Sequence, residues 1–226
     1  MATDITHIGI IMDGNRRWAK ARGLSAHKGH AEGYVRAKDV VRWCEEAGIS
    51  VVTLYAFSTE NLKRAKKEVS FLMALFERLL TKEIGEFAKE GTRLRIIGSK
   101  EGFSVRMKRV IASAEKSTEH NTRIMVNIAF NYGGRDEIVR AMKNIAQHPP
   151  RSITEETVAA RLDTRGMPDL DLIIRTGGEM RLSGFLLWQS AYAELYFTKT
   201  HWPAFSEKEF ATILADFKKR HRRFGK

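Results

Sequence analysis

The stretch His7-Ile8-Gly9-Ile10-Ile11-Met12-Asp13-Gly14-Asn15-Arg16-Arg17-Trp18-Ala19-Lys20 decides the fold. It begins as a continuous apolar run of strand length, which is typical of a strand buried on both faces. It then turns through Asp-Gly-Asn into a helical segment with two arginines. Free N–H groups at the start of that helix, together with Arg16 and Arg17, favour an anion such as pyrophosphate. A buried strand followed by an ordinary turn explains the same residues equally well.

Asp13 stands in the middle of this turn, where its carboxylate would repel a phosphate group. A divalent cation between the two removes the repulsion. Mg²⁺ is commonly held by one or two carboxylates together with substrate phosphates. The sequence therefore predicts that Asp13 binds Mg²⁺ beside an anionic substrate.

Length and composition fit a folded α/β protein of one large domain or two small ones. The chain has 226 residues, of which 43% are hydrophobic, so a sizeable core is expected. No apolar run approaches the ~20 residues that span a bilayer, and the N-terminal residues do not resemble a secretory signal. The single cysteine, Cys44, excludes an intrachain disulfide and a cysteine zinc cluster. A cytoplasmic location is expected.

The formal net charge of +12 predicts an anionic partner: nucleic acid, a phosphorylated small molecule or an acidic membrane face. A protein that binds nucleic acid along its surface would interleave basic residues with exposed aromatic ones. Here Trp18, Trp188 and Trp202 lie in apolar surroundings, and the arginines cluster at predicted strand ends. Binding in a pocket is therefore favoured, and no nucleic-acid partner is expected.

Strand-like and helix-like patterns alternate along the chain. Strands are predicted at 5–12, 50–57, 93–98, 123–130, 170–174 and 195–197. Helices are predicted at 15–22, 31–47, 68–89, 100–118, 136–146, 154–162 and 206–222, with a loop at 23–30. This order predicts a single-domain α/β fold with a central, mostly parallel sheet of about six strands flanked by helices.

Four predicted strands end in polar or glycine-rich residues. The four ends are Asp13-Gly14-Asn15, Ser58-Thr59-Glu60-Asn61, Asn131-Tyr132-Gly133-Gly134 and Arg175-Thr176-Gly177-Gly178-Glu179. In parallel sheets ligands bind outside the carboxyl ends of the strands, so these residues are predicted to converge on one rim. Its many arginines and few acids suit two phosphorylated substrates or one polyphosphate. The chain lacks a P-loop, a dinucleotide fingerprint and a hydrolase nucleophile elbow.

These residues resemble the motifs of the cis-prenyltransferases, the Z-type polyprenyl diphosphate synthases whose bacterial type is undecaprenyl diphosphate synthase. His7 to Lys20 is similar to the opening signature of the family, and Leu54 to Asn61 is similar to its second motif. Asn131 to Arg135 and Ile174 to Phe197 are similar to the third and C-terminal motifs. The resemblance covers essentially the whole chain and implies one catalytic domain over residues 1–226. The chain departs from many relatives at Ala26, Leu62 and Gly184.

The resemblance implies a homodimeric enzyme that adds isopentenyl diphosphate repeatedly to an allylic diphosphate, such as farnesyl diphosphate, with formation of cis double bonds. The small Ala56 at the end of the second strand favours a long product, such as the undecaprenyl precursor of the cell-wall lipid carrier. A short- or medium-chain synthase is the first alternative. A non-catalytic partner subunit is another, although such a subunit would be expected to lose Asp13 or the Arg175–Ser183 motif. The apolar product implies peripheral contact with the inner face of the membrane.

The resemblance also implies roles for individual residues. Asp13 and Asn61 are the expected catalytic residues, and Asp13 and Glu194 are the expected Mg²⁺ ligands. The neutral amide of Asn61 is a poor base, so it is expected to position a phosphate oxygen or a water that accepts the proton. The allylic diphosphate is assigned to Gly14, Asn15, Arg16, Arg17 and His30, and isopentenyl diphosphate to Arg175, Arg181 and Ser183. Further substrate-binding residues are Trp18, Ser58, Thr59, Glu60, Arg64 and Leu182. An apolar tunnel between sheet and helices is expected to include Ala56, Leu72, Phe76, Ile124 and Val126.

Overall fold

A computed structural model describes residues 5–63 and 65–220 of the chain. Within these ranges six strands lie in one sheet in the order β3-β4-β2-β1-β5-β6, and every pair of neighbouring strands is parallel. The strands are β1 (His7–Ile11), β2 (Val51–Ser58), β3 (Thr92–Ile97), β4 (Ile124–Tyr132), β5 (Leu172–Arg175) and β6 (Glu194–Phe197). The predicted α/β fold with a central six-stranded sheet is confirmed.

Helices connect the strands in the described part of the chain. They are α1 (Asn15–Lys20), α2 (Ala26–Glu46), α3 (Lys66–Arg78), α4 (Ile84–Lys89), α5 (Val105–Ser117), α6 (Gly134–Gln147), α7 (Glu155–Ala159) and α8 (Glu207–Phe217). A π-helical turn, Leu79–Glu83, joins α3 to α4. None of the helices in the described ranges has both the length and the apolar composition needed to cross a membrane.

The central strand β1 is buried along its whole length. Ile8 and Ile10 belong to the larger apolar cluster, which includes side chains of α2, α3, α5 and α8. Ile11 belongs to a second cluster with Phe185 and Leu186. Two covered faces explain why β1 is a continuous apolar run rather than an alternating one.

The helix bounds differ from those predicted, and two of the differences bear on the site. α2 begins at Ala26, inside the predicted loop, because the Ser25 hydroxyl accepts a hydrogen bond from the Lys28 N–H (3.3 Å) and caps the helix. The helix predicted at 68–89 is interrupted by the π-helical turn Leu79–Glu83. The apolar spacing continues through that turn, so periodicity alone does not reveal it.

Strand β3 lies at one edge of the sheet. Side chains accept hydrogen bonds from three backbone N–H groups along this edge. Leu94 donates to Thr118 Oγ1 (3.1 Å), Ile96 to Glu115 Oε1 (2.8 Å) and Gly98 to Asp163 Oδ2 (2.9 Å). These contacts block the edge against pairing with another strand.

The order of the strands reverses between β1 and β5. The chain leaves β1 toward β2 and leaves β5 toward β6, although β1 and β5 are neighbours. In open parallel sheets ligands bind in the crevice outside the carboxyl ends at such a reversal. Asp13 follows β1 and Arg175 ends β5, so both residues lie at this crevice.

Candidate active site

A cleft of about 1230 Å³ lies at the carboxyl ends of the strands. It is lined by residues from all four strand ends that the sequence predicted to converge. Of the predicted site residues, it contains Asp13, Gly14, Asn15, Arg16, Arg17, His30, Ser58, Thr59, Glu60, Asn61, Arg175, Arg181 and Ser183. Six arginine or lysine side chains and three acidic ones line the cleft, so it suits an anionic ligand.

Asp13 joins the ends of β1 and β5 through two arginines. Its Oδ2 accepts a hydrogen bond from Arg175 (2.9 Å), and its Oδ1 lies 3.0 Å from an Arg17 guanidinium nitrogen. Burial acts to raise the pKa of Asp13, but the hydrogen bonds from Arg175 and Arg17 outweigh it and lower the pKa below its ordinary value. Asp13 is therefore an ionised carboxylate facing the cleft.

The backbone around Asp13 is fixed from both sides. The Asp13 carbonyl accepts hydrogen bonds from the Trp202 N–H (3.0 Å) and the Thr176 hydroxyl (2.7 Å). Gly14 precedes α1 with φ 107°, and a Cβ there would lie 2.9 Å from His201. Only glycine meets both the positive φ and the close approach. The Asp-Gly pair thus turns the chain sharply at the rim.

Arg175 organises the opposite side of the cleft. Its side chain is almost fully buried, donates to Ser183 Oγ (2.8 Å) and also contacts the Arg181 carbonyl. Ser183 has φ 50°, and its carbonyl accepts a hydrogen bond from the Tyr55 hydroxyl (3.3 Å). The Arg181 side chain is exposed and pairs with Glu179 at 2.5 Å. These contacts hold the Arg181–Ser183 segment beside Asp13.

Glu68 is a residue of the site that the sequence analysis missed. Its Oε1 lies 3.3 Å from His30 Nε2, and its Oε2 lies 3.6 Å from an Arg16 nitrogen. A carboxylate at the start of α3 thus lies beside two residues expected to bind a diphosphate. Acids are common in the first turn of a helix, so no sequence signal distinguishes Glu68.

The Asn61 amide is held by the end of β2. Its Oδ1 accepts a hydrogen bond from the Ser58 N–H (3.2 Å). An amide whose oxygen accepts this bond offers N–H donors rather than a base. That Asn61 positions another proton acceptor stays a prediction.

Three predicted site residues do not line the cleft. The Trp18 ring lies under the Arg22 guanidinium (4.4 Å), and Leu182 packs against the second apolar cluster. Glu194 begins β6 and pairs with Arg220 at 2.9 Å. Since Phe197 is the residue of β6 that pairs with Arg175, Glu194 lies about 10 Å along the strand from the rim. Within a single chain, Glu194 is therefore not close to Asp13. The remaining predicted site residue, Arg64, lies outside the described residues.

Gly133 and Gly134 line the cleft, but the Gly134 N–H is not open to it. The Gly134 N–H donates to the Gly184 carbonyl (2.7 Å). Glycines that precede a helix can offer open N–H groups to an anion, but the Gly134 N–H is already paired within the chain. Its hydrogen bond instead joins the start of α6 to the loop that follows Ser183.

Asp13 is the residue that best fits a metal ion. Within the described ranges, no three His, Cys, Asp or Glu side chains form a ligand group. A single ionised carboxylate in an arginine-rich cleft matches the Mg²⁺ sites that substrate phosphates complete. The donor set therefore fits Mg²⁺ bound together with a diphosphate better than a metal held by protein alone.

An apolar cavity of about 120 Å³ continues from the cleft between the sheet, α2 and α3. The residues that line both spaces are Met12, Asn15, His30, Ala56 and Leu72. Phe76 and Val126 also line the cavity as predicted. Ile124 does not, because it is buried in the core at the start of β4.

Comparison with known proteins identifies the family. A sequence model of the prenyltransferases, described as putative undecaprenyl diphosphate synthase, matches residues 11–225. The chain belongs to this family. It is 44% identical to an isoprenyl transferase of Helicobacter pylori, over 100% of the chain and 98% of the relative. It is 46% identical to a ditrans,polycis-undecaprenyl-diphosphate synthase of Pasteurella multocida, described as specific for (2E,6E)-farnesyl diphosphate, over 97% of the chain and 94% of the relative.

Solved prenyltransferase structures share the fold. A probable undecaprenyl diphosphate synthase from Campylobacter jejuni superposes with a TM-score of 0.84 at 37% identity and 99% coverage of both chains. Lavandulyl diphosphate synthase from Lavandula x intermedia, solved with dimethylallyl diphosphate, gives a TM-score of 0.92 at 35% identity and 98% coverage of both chains. The predicted family is confirmed, and the chain is a prenyl-transferring enzyme that acts on prenyl diphosphates.

Proposed function

We propose that this prenyltransferase extends an allylic diphosphate by repeated addition of isopentenyl diphosphate, each with a cis double bond. The observation that carries the proposal is the Asp13–Arg175 ion pair. It joins the two halves of an arginine-rich cleft that continues into an apolar cavity. The chain retains both Asp13 and the Arg175–Ser183 motif, so a non-catalytic partner subunit is not favoured.

The two diphosphates occupy different halves of the cleft. Gly14, Asn15, Arg16, Arg17 and His30 bind the allylic diphosphate, and its tail enters the apolar cavity. Arg175, Arg181 and Ser183 bind isopentenyl diphosphate. Guanidinium groups suit this role because they form charge-assisted, often bidentate hydrogen bonds to phosphate oxygens.

A carbon–carbon bond forms between the two substrates as the C–O bond of the allylic substrate breaks, its diphosphate group leaves with the bonding electrons, and the isopentenyl unit loses a proton. Asp13 would hold Mg²⁺, and the ion would neutralise the charge that develops on the leaving diphosphate. Arg16 and Arg17 stabilise the same charge. Asn61 orients the phosphate oxygen or water that takes the proton.

We propose a homodimer in which Glu194 completes the metal site of the second copy, since Glu194 and Asp13 lie far apart within one chain. We also propose a farnesyl primer and a long product, such as an undecaprenyl diphosphate used in cell-wall synthesis. The small Ala56 in the cavity wall and the name of the Pasteurella relative support this choice. Such a product implies a cytoplasmic enzyme that contacts the membrane peripherally.

The proposal is tested by incubating the purified protein with farnesyl diphosphate, labelled isopentenyl diphosphate and Mg²⁺, and then resolving product lengths. We expect a ladder of products that ends in a long polyprenyl diphosphate. The absence of extension would overturn the proposed activity. Products that stop after one or two additions would overturn the long-chain assignment and support the short-chain alternative.

A further inference from the structure

The carboxylate of Glu83 joins the two sides of the apolar cavity. Its Oε2 accepts hydrogen bonds from the Tyr34 hydroxyl and from the Lys38 ammonium, which is 3.3 Å away. Its Oε1 lies 3.5 Å from Arg78 Nε. Tyr34 and Lys38 belong to α2, whereas Glu83 ends the π-helical turn between α3 and α4. We call the contacts of Glu83 with Tyr34 and Lys38 the Glu83 bridge.

The Glu83 bridge spans the same gap as the apolar cavity. Tyr34 and Lys38 line the cavity from α2, and Leu79 and Phe87 line it from the π-helical turn and α4. Any separation of these two walls must stretch or break the bridge. The π-helical turn itself is a rare conformation that occurs mostly at functional sites.

The bridge is strong because the Glu83 carboxylate is ionised and mostly buried and accepts hydrogen bonds from both Tyr34 and Lys38. Burial acts to raise the pKa of Glu83, but hydrogen bonds from Tyr34 and Lys38 outweigh it and lower the pKa below its ordinary value. The carboxylate is therefore ionised at neutral pH, with a side chain only 13% exposed. Hydrogen bonds to an ionised acceptor in such a place are about twice as strong as neutral ones.

The cavity is small compared with a long prenyl tail. Its volume of about 120 Å³ is close to that of an engineered cavity of ~150 Å³ that accepts one benzene. The tail gains five carbons in every cycle of the proposed reaction. The cavity must therefore widen as the tail grows, and widening parts α2 from the segment α3–α4.

We propose that the Glu83 bridge helps to set product length, because it resists the separation of α2 from α3–α4 that a longer tail requires. Tyr34 and Glu83 are then specificity-determining residues that act on the cavity wall and not on the reacting atoms. This inference rests on the proposed function and adds to it the structural element that opposes further elongation.

The test compares Tyr34→Phe and Glu83→Gln with the wild type. Tyr34→Phe keeps the ring in the cavity wall and removes only the hydroxyl, whereas Glu83→Gln keeps the shape and removes the charge. Glu86→Gln is the matched control, because Glu86 is 70% exposed and lies 3.9 Å from the same Lys38. With enzyme in excess over primer, we expect both bridge variants to shift the main product to a greater length by at least one isoprene unit. The control should give the wild-type distribution.

A second measurement separates this inference from the proposed function. Equilibrium binding of a short-tailed and a long-tailed allylic diphosphate should show that the bridge variants bind the long-tailed ligand several-fold more tightly and the short-tailed ligand unchanged. Wild-type product lengths and unchanged affinity for the long tail would overturn the inference, as would shorter products. If the wild type extends no primer, the proposed function fails and the binding comparison decides the role of the bridge alone. Tyr34→Phe is decisive even if Glu83→Gln fails to fold.

Discussion

At the scale of single residues, the Asp13–Arg175 pair explains how a strongly basic cleft stays stable without its ligand. Arg175 is almost fully buried, and its charge would be costly without a partner. Asp13 supplies that partner at 2.9 Å. In the proposed reaction the same carboxylate would become available to a metal ion once a diphosphate takes over the contacts with arginine. One residue would then serve both the ligand-free and the ligand-bound site.

Asp13→Asn should reduce kcat by about 10²–10³-fold, because removal of a group that stabilises the charge of the transition state costs this much. The measurement is steady-state turnover at saturating substrates, with thermal unfolding as the check on folding. Glu179→Gln is the control, since Glu179 also pairs with Arg17 and Arg181 on the rim but has no proposed metal role. Near-normal turnover of Asp13→Asn, or an equal loss in the control, would contradict the role of Asp13.

At the scale of elements, the close packing of α1 on α2 places Asn15 in the cleft. A Cβ on Gly33 of α2 would lie 2.1 Å from Asn15 Oδ1 and 2.9 Å from Trp202. Trp202 also donates a hydrogen bond to the Gly33 carbonyl (2.7 Å). Gly33 therefore allows α1, α2 and the Trp202 side chain to meet at one point behind the site.

Gly33→Ala should lower the free energy of unfolding by about 1–3 kcal/mol, the usual cost of overpacking. It should also raise KM for the allylic substrate, because Asn15 must move. Gly85→Ala is the control, since Gly85 lies in α4 and its Cβ would meet no atom within 4 Å. That substitution should be neutral or stabilise by up to about 1 kcal/mol. Urea denaturation measures both, and equal effects would contradict the packing argument.

Sequence patterns predicted the strands and helices better than the turns and side-chain contacts that connect them. The alternation of strands and helices along the chain and the convergence of Asp13 and Arg175 follow from apolar runs and polar strand ends. The π-helical turn and the contacts of Glu68 do not, because they depend on how α3 packs against α2. The separation of Glu194 from Asp13 depends on strand register, which motif spacing does not encode. The start of α2, by contrast, could have been predicted from the sequence, because Ser25 is a typical N-cap residue.

At the scale of the whole molecule, Asp163 ties one edge of the sheet to the helices behind it. Its carboxylate accepts two hydrogen bonds from Arg140 of α6 (2.7 and 2.8 Å) and one from the Gly98 N–H after β3 (2.9 Å). Burial acts to raise the pKa of Asp163, but the hydrogen bonds from Arg140 outweigh it, so the pKa lies below its ordinary value. Such a carboxyl stabilises the fold above the unfolded-state pKa of about 3.9, and this contribution is lost as pH falls through the folded-state pKa.

Asp163→Asn should therefore cost about 1–3 kcal/mol of unfolding free energy at pH 7, because Arg140 and the Gly98 N–H lose a charged partner. The difference from wild type should shrink as the pH is lowered below about 4. Asp136→Asn is the control, since Asp136 pairs with the same Arg140 but is 40% exposed, and its cost should stay below about 1 kcal/mol. Denaturation curves across this pH range supply the measurement, and a pH-independent difference would contradict the linkage.

The proposed reaction requires that the cleft hold two diphosphates in separate halves, one on each side of the Asp13–Arg175 pair. Steady-state KM values for both substrates in Arg16→Met and Arg181→Met test this claim most directly. Arg16→Met should raise KM for the allylic diphosphate about tenfold or more and leave KM for isopentenyl diphosphate nearly unchanged, and Arg181→Met should do the reverse. If both variants raise the same KM, or both raise the two values equally, the two-site account is contradicted.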